Sequence, residues 1–235
     1  NVFWSTAAIL AVSFPQFVQY TESADAFPGM ISRKGVKVTD RKRPCHLLRT
    51  AERKDTMIVR FGYVAMSVTV QNASPSKTMT MASFNKIGDR EAAIRKLERI
   101  AAENLHNTLR LLRHNRASDI QVYRFSSKLI PLATHQDLRD WDPFEALAAD
   151  FAEVGDYVKA NKMRVSFHPD HFTVLSTPRS EVLQSSIHDL KYHVAMLKAM
   201  GLGAEAKNNI HMGGAYGDKV TSGQRFVEQV NALDL

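Results

Sequence analysis

Three histidines fall where strand-like runs give way to loops. His168 closes VSFH, His211 closes NNIH, and His135 lies in SSKLIPLATHQ, after a further apolar run. A neutral imidazole nitrogen is a good ligand for Zn, Mn, Fe or Ni. Three imidazoles arriving from three successive connections can share one volume. A histidine at a strand end is also an ordinary hydrogen-bonded polar residue, and the pattern alone leaves both readings open. Tyr63 ends another such run, RFGY. The stretch VSFHPDHFTV places Pro169, Asp170, His171 and Phe172 between two apolar segments. Asp170 after Pro169 reads as a turn former ahead of a ligand, and Phe172 as a core aromatic or an exposed one. His106, His114, His188 and His193 lie on helical stretches and His46 near the start, and none is assigned chemistry. GGAYG after His211 offers free amides. It is neither a P-loop nor a dinucleotide fingerprint, and its plain role is a turn.

These residues need elements to hold them. MIVRFGYVAMS, IQVYRFS, MRVSFH and KNNIHMGG read as four short apolar strands. DREAAIRKLERIAAENLHNTLRLLRHNRAS keeps helical spacing through Ile94, Leu97, Ala101, Leu105, Leu109 and Leu112, with Asp89 as cap. DPFEALAADFAEVGDYVKANK reads as one helix opened by Asp142 and Pro143. PRSEVLQSSIHDLKYHVAMLKAMG is stopped by Gly201, and a fourth helix starts in KVTSGQRFVEQVNALDL. Four β-α units in order predict an α/β fold with a parallel sheet, its short apolar strands buried like a barrel wall. An eight-fold barrel needs about 250 residues, so the pattern is either a small open sheet or half a barrel.

The chain of 235 residues carries a net charge of +7, which favours an anionic partner. Nine of its 31 basic residues and five of its 24 acidic ones precede Met57. Residues 1–56 read as a poorly structured basic leader, either a linker of no native role or an arm that contacts nucleic acid. Residues 57–235 read as the folded domain. The first residue is Asn, and Met57 opens the first clean apolar run, so the sequence reads as a fragment or an open translation with a natural start at Met57. The apolar opening lacks a basic flank, and Pro15 and Gln16 interrupt it short of a membrane span. The single cysteine, Cys45, rules out an internal disulfide. These features predict a cytoplasmic protein without a membrane partner.

The blocks RFGYVAMS, AAENLHNTLRLL, YRFSSKLIPLATH, VSFHPDHFTVL and NIHMGGAYGDK resemble, in order and spacing, successive blocks of the UV damage endonucleases. The similarity covers Met57 to Gly217 and leaves residues 1–56 aside. It implies a TIM-type β/α barrel, of which about the first four units are present. The activity implied is metal-dependent hydrolysis of DNA on the 5′ side of UV photoproducts, a repair reaction. The implied cofactor is a cluster of divalent ions, manganese first, with zinc, magnesium or cobalt as alternatives. By the same resemblance His135, His168 and His211 are metal ligands and Tyr63 is an active-site residue. His171 and Phe172 then form a pair inserted into the duplex at the lesion. An aromatic there can replace stacking lost when damaged bases leave the helix. Arg124 and Lys128 are candidates for phosphate contact.

Two departures stand out. The family places Gln where this chain has His171, and often Asn near Met66. Its carboxylate ligands, further histidines and a lysine near the metals come from the second half of the barrel. The 235 residues alone are therefore expected to be impaired in catalysis. The partner implied is double-stranded DNA carrying UV lesions, with association with the nucleoid when bound and no obligate protein partner. Without the resemblance, a metal-dependent sugar isomerase or epimerase on the same barrel fits the histidines. A non-catalytic fragment that binds DNA or metal fits the missing ligands. An exposed wedge and basic groove mark a DNA enzyme, and a closed pocket marks a sugar enzyme.

Overall fold

The computed structural model describes residues 10–12 and 60–234. The expected leader over 1–56 lies outside the described residues, apart from β1 (Leu10–Val12). Strand β2 (Gly62–Val64) is followed by α1 (Met81–Asn85) and the long α2 (Arg90–Ala117). Then come β3 (Val122–Arg124), α3 (Pro143–Ala146), α4 (Ala148–Ala160) and β4 (Arg164–Phe167). The order closes with α5 (Ser180–Ala199), β5 (Lys207–Ile210) and α6 (Lys219–Ala232). The sheet runs β1-β5-β4-β3-β2. Strands β2 to β5 are parallel and in chain order, and β1 pairs antiparallel with β5. The expected parallel α/β sheet is present, and it is open among the described residues.

Strand alternation divides the sheet into two unlike faces. Tyr123, Val165, Phe167 and Ile210 are at most 4% exposed and sit under the helices. They join Leu105, Leu109 and Leu112 of α2 and Phe151 and Val154 of α4 in buried clusters. Val122, Arg124, Arg164, Ser166, Lys207 and Asn209 stand on the other face, half-buried or exposed. The strands are therefore apolar on one side only, against the expectation of a wall buried on both. The reason lies in alternation: β3, β4 and β5 put Arg124, Arg164, Ser166, Lys207 and Asn209 on the open side, whereas β2 puts only Gly62 and Val64 there.

The helix boundaries follow capping chemistry. The Asp89 side chain accepts a hydrogen bond from the Ala92 amide, and that of Asp142 accepts one from Phe144. The single helix expected from Asp142 onward is broken at Leu147, which ends α3, begins α4 and is buried at 2% exposure. Helix α1 escapes sequence reading because it is one turn long. It is capped by Thr80 and held chiefly by buried Phe84, with half-buried Met81 packed against the same cluster.

Candidate active site

Strands β4 and β5 are parallel neighbours, and with Phe167 opposite Asn208 β5 continues two residues past the end of β4, to Ile210. His168 and His211 each follow the last residue of their strand. Their ring centroids are 4.6 Å apart with planes inclined by 54°. The His168 Nδ1 lies 2.6 Å from the Asn209 carbonyl oxygen. A carbonyl can only accept, so Nδ1 carries the proton and Nε2 keeps its lone pair. That is the tautomer of a metal-ligating histidine with an outer hydrogen bond.

His135 is placed differently. It caps the 3-10 turn Gln136–Leu138, its Nδ1 accepting from the Asp137 amide at 3.2 Å. Its Nδ1 also lies 3.7 Å from the Asp137 carboxylate. In the neutral capping tautomer the proton is on Nε2, so that nitrogen cannot ligate a metal while the cap stands. Among the described residues no group of three or more His, Cys, Asp or Glu side chains could hold a metal ion. The described residues thus bring two imidazoles together and do not complete a metal centre.

Tyr63 occupies the helix-facing side of β2. Its hydroxyl donates to Asn115 Oδ1 of α2 at 2.6 Å, and its ring meets Tyr123 edge-on at 5.5 Å. Burial raises the phenol above its ordinary pKa, against smaller opposing effects of hydrogen bonds with Ser67 and Asn115. It is therefore a protonated donor committed to the sheet–helix interface. The expected active-site tyrosine and the histidine pair belong to opposite faces by strand parity.

The segment after His168 forms a β-turn. The Thr173 amide donates to the Asp170 carbonyl at 2.9 Å, which puts His171 and Phe172 at the two central positions. Phe172 is 61% exposed, and its ring meets that of His171 at 5.8 Å. The turn is thus a polar–aromatic projection at the strand ends, with Asp170 as its first residue. GGAYG serves as the turn into α6, whose cap is Asp218. Gly213 also packs against the loop from His168 to α5: with φ +94, a Cβ there would lie 2.4 Å from Val174 Cγ1.

Arg124 stands on the open face and lines a cavity of about 240 Å³ with Val122, Arg164, Ser166 and Asn209. Lys128 is exposed in the loop after β3, and its carbonyl accepts from Asn104 of α2. A larger cavity, about 700 Å³, lies at the amino-terminal ends of the strands, lined among others by Arg116, Gln121 and Lys162. Neither cavity is lined by one of the three candidate histidines.

Sequence reasoning missed the support behind the turn. Thr173 Oγ1 donates to Asp189 Oδ2 of α5 at 2.6 Å, and Ser127 Oγ donates to the His168 carbonyl at 2.8 Å. His193 is 1% exposed, with its ring 5.4 Å from Phe167 and its Nδ1 donating to the Asp189 carbonyl at 2.7 Å. Burial holds the His193 imidazole below the usual histidine range, against opposing effects led by Asp189. The four-residue spacing of Asp189 and His193 was the available signal, since it sets both on one helix face.

Fold and site together define an α/β protein whose parallel sheet carries a histidine pair and an exposed aromatic turn at the carboxyl ends of its strands. Residues 59–234 match the family model of UvdE, the UV-endonuclease. The chain belongs to that family. It is similar to the UV DNA damage endonuclease of Halalkalibacterium halodurans, 44% identical over 177 residues, which are 75% of this chain and 55% of the relative. The corresponding protein of Bacillus pumilus is 45% identical over 177 residues with the same shares. The crystal structure of SacUVDE matches with a TM-score of 0.66 and 32% identity over 75% of this chain and 57% of that one. The chain therefore spans little more than half, 55%, of the length of these curated relatives.

Proposed function

We propose that this chain supplies the first four β-α units of a TIM-type β/α barrel that recognises UV lesions in double-stranded DNA and cleaves the phosphodiester on their 5′ side. The observation that carries the reading is the exposed His171–Phe172 turn beside the His168–His211 pair. An aromatic at the tip of a turn is suited to enter a base stack that a lesion has weakened, where unstacking costs least. An open face bearing Arg124 and Arg164 suits a phosphate backbone better than a small neutral sugar. In this reading Lys128 contacts a flanking phosphate.

We infer further that His168 and His211 contribute Nε2 ligands to divalent metal, manganese first. A bound metal supplies Lewis acidity to the phosphoryl group. His135 would join the set only on leaving its cap. Because two imidazoles are not a centre, the 235 residues alone bind damaged duplex but nick it poorly. A cytoplasmic location, with the nucleoid as the place of work, follows from the substrate. The described residues contain no helix long and apolar enough to cross a membrane.

The deciding experiment measures equilibrium binding and nicking of one duplex with and without a single pyrimidine dimer, with and without manganese. The expected result is preferential binding of the damaged duplex with little nicking. Equal affinity for both duplexes rejects the reading. Strong 5′ nicking by these residues alone rejects the incomplete metal centre.

A further inference from the structure

The tip of the Asp170–Thr173 turn is exposed while both of its feet are buried. Pro169 and Thr173 are buried, Thr173 at 2% exposure, and His171 and Phe172 between them are not. A short turn with an apolar tip in water has little reason of its own to keep one direction, since burial of Phe172 elsewhere would release water. Something must fix it, and the hydrogen bonds identify what does.

The near foot is tied by Ser127 to the His168 carbonyl. The far foot is tied twice to α5. Thr173 Oγ1 donates to Asp189 Oδ2 at 2.6 Å, and the Val174 amide donates to Ser186 Oγ at 2.9 Å. Ser186 and Asp189 are one turn apart on α5, so both ties come from one rigid face. The Asp189 side chain is only 17% exposed, and among the described residues its ion-pair contact is with the His193 imidazole, Nδ1 3.7 Å from Oδ1, whose charged form burial disfavours. A carboxylate so placed is a poor choice for stability alone, because desolvating it without a cation is unfavourable. It is a good choice for direction, because a hydrogen bond to a charged acceptor is short and strong. The His193 imidazole, donating to the Asp189 backbone carbonyl and packed edge-on against Phe167, fixes α5 against β4.

We propose that Asp189 is a positioning residue: through Thr173 it fixes the direction in which His171 and Phe172 leave the surface, and so sets the preference for damaged over intact duplex. The inference rests on the reading of the chain as a lesion-recognising nuclease. Its physical content is preorganisation. A side chain held in its inserting direction before binding loses less freedom on insertion. Intact DNA, which meets only the charged surface, is indifferent to the tie.

The experiment uses the full 235-residue chain with Thr173→Val and Thr173→Ser. Valine keeps the shape and removes the hydroxyl, and serine keeps the hydroxyl. Fluorescence anisotropy gives affinities for a duplex with one pyrimidine dimer and for its undamaged counterpart. Amide hydrogen exchange at Thr173 and Val174 gives the local order without DNA. Thermal melting confirms that each variant is folded. The expected result for Thr173→Val is a loss of about tenfold in the ratio of the two affinities, the order of one hydrogen bond to a charged group, with intact-duplex affinity unchanged. Exchange at the two amides should quicken, and Thr173→Ser should behave as the parent chain does.

A merely structural role would lower both affinities together and leave their ratio alone, and that outcome overturns the proposal. So does unchanged exchange in Thr173→Val, or a serine variant as defective as the valine one. If the parent chain itself binds both duplexes alike, the nuclease reading fails. The exchange data then decide the tie separately: quickened exchange upholds Asp189 as the anchor of the turn, and unchanged exchange removes it.

Discussion

His168 and His135 are the same residue type at loop entrances, yet their neighbours commit them to opposite tautomers. The Asn209 carbonyl keeps the proton of His168 on Nδ1, and the Asp137 amide keeps that of His135 on Nε2. Manganese titration followed by electron paramagnetic resonance should register this difference. His168→Ala or His211→Ala should weaken binding by at least about tenfold, since even outer-shell partners of a metal are worth that much. His135→Ala should leave it nearly unchanged. Equal losses at all three positions would return His135 to the ligand set. Tyr63 is judged by Tyr63→Phe, which removes only the hydroxyl that Asn115 accepts from. A loss of about 1 kcal/mol in urea unfolding is expected, the worth of an ordinary hydrogen bond. Unchanged stability with lost nicking would give Tyr63 a role in the chemistry instead.

Helix α2 carries the loops that carry the site. Buried Asn104 accepts from the Lys77 amide at 2.9 Å and donates to the carbonyls of Lys77 and Leu129, at 2.8 and 3.0 Å. It therefore pins the segment after β2 and the loop after β3 with one amide. Asn104→Ala strands the backbone groups it bonds at Lys77, Lys128 and Leu129, and a loss of about 3 kcal/mol follows from their combined desolvation. Chemical denaturation checks the figure, and a cost under about 1 kcal/mol would mean that water replaces the amide. Helices α4 and α5 approach closely at Gly155, where a Cβ would lie 1.7 Å from the Met200 carbonyl oxygen. Gly155→Ala should cost about 2–3 kcal/mol, because the helices must separate to admit a methyl group. A neutral result would show that α5 shifts freely, and the site it anchors would then be loose.

The sheet presents one apolar and one charged face, and the charged face is open among the described residues. With a net charge of +7, DNA affinity should fall steeply with salt, whatever the sequence of the duplex. Arg124→Gln should flatten the plot of log affinity against log salt by about one unit if Arg124 neutralises one phosphate. The loss should be equal for damaged and intact DNA. A selective loss on damaged DNA would place Arg124 at the lesion, and an unchanged slope would remove it from the interface.

The order of elements was legible because each strand is a short apolar run and each long helix keeps its spacing and cap, as Asp89 and Asp142 do. That His168 and His211 share one region was legible too, since adjacent parallel strands carry their carboxyl ends to one edge of the sheet; that β5 runs two residues further, which sets both histidines on the same side by parity, was not. The one-turn α1 and the break at Leu147 were not either, because each depends chiefly on the burial of one side chain, Phe84 or Leu147, against distant partners. Nor was the parity that turns Tyr63 to the helices, since a strand of three residues carries too little alternation to fix its register. The tautomer of His135 and the tie from Thr173 to Asp189 depend on hydrogen bonds a few ångströms long. Residue types and spacing thus fixed which groups were available for chemistry. Only the fold decided which of them face one another, because hydrogen bonds act over distances that spacing along the chain does not specify.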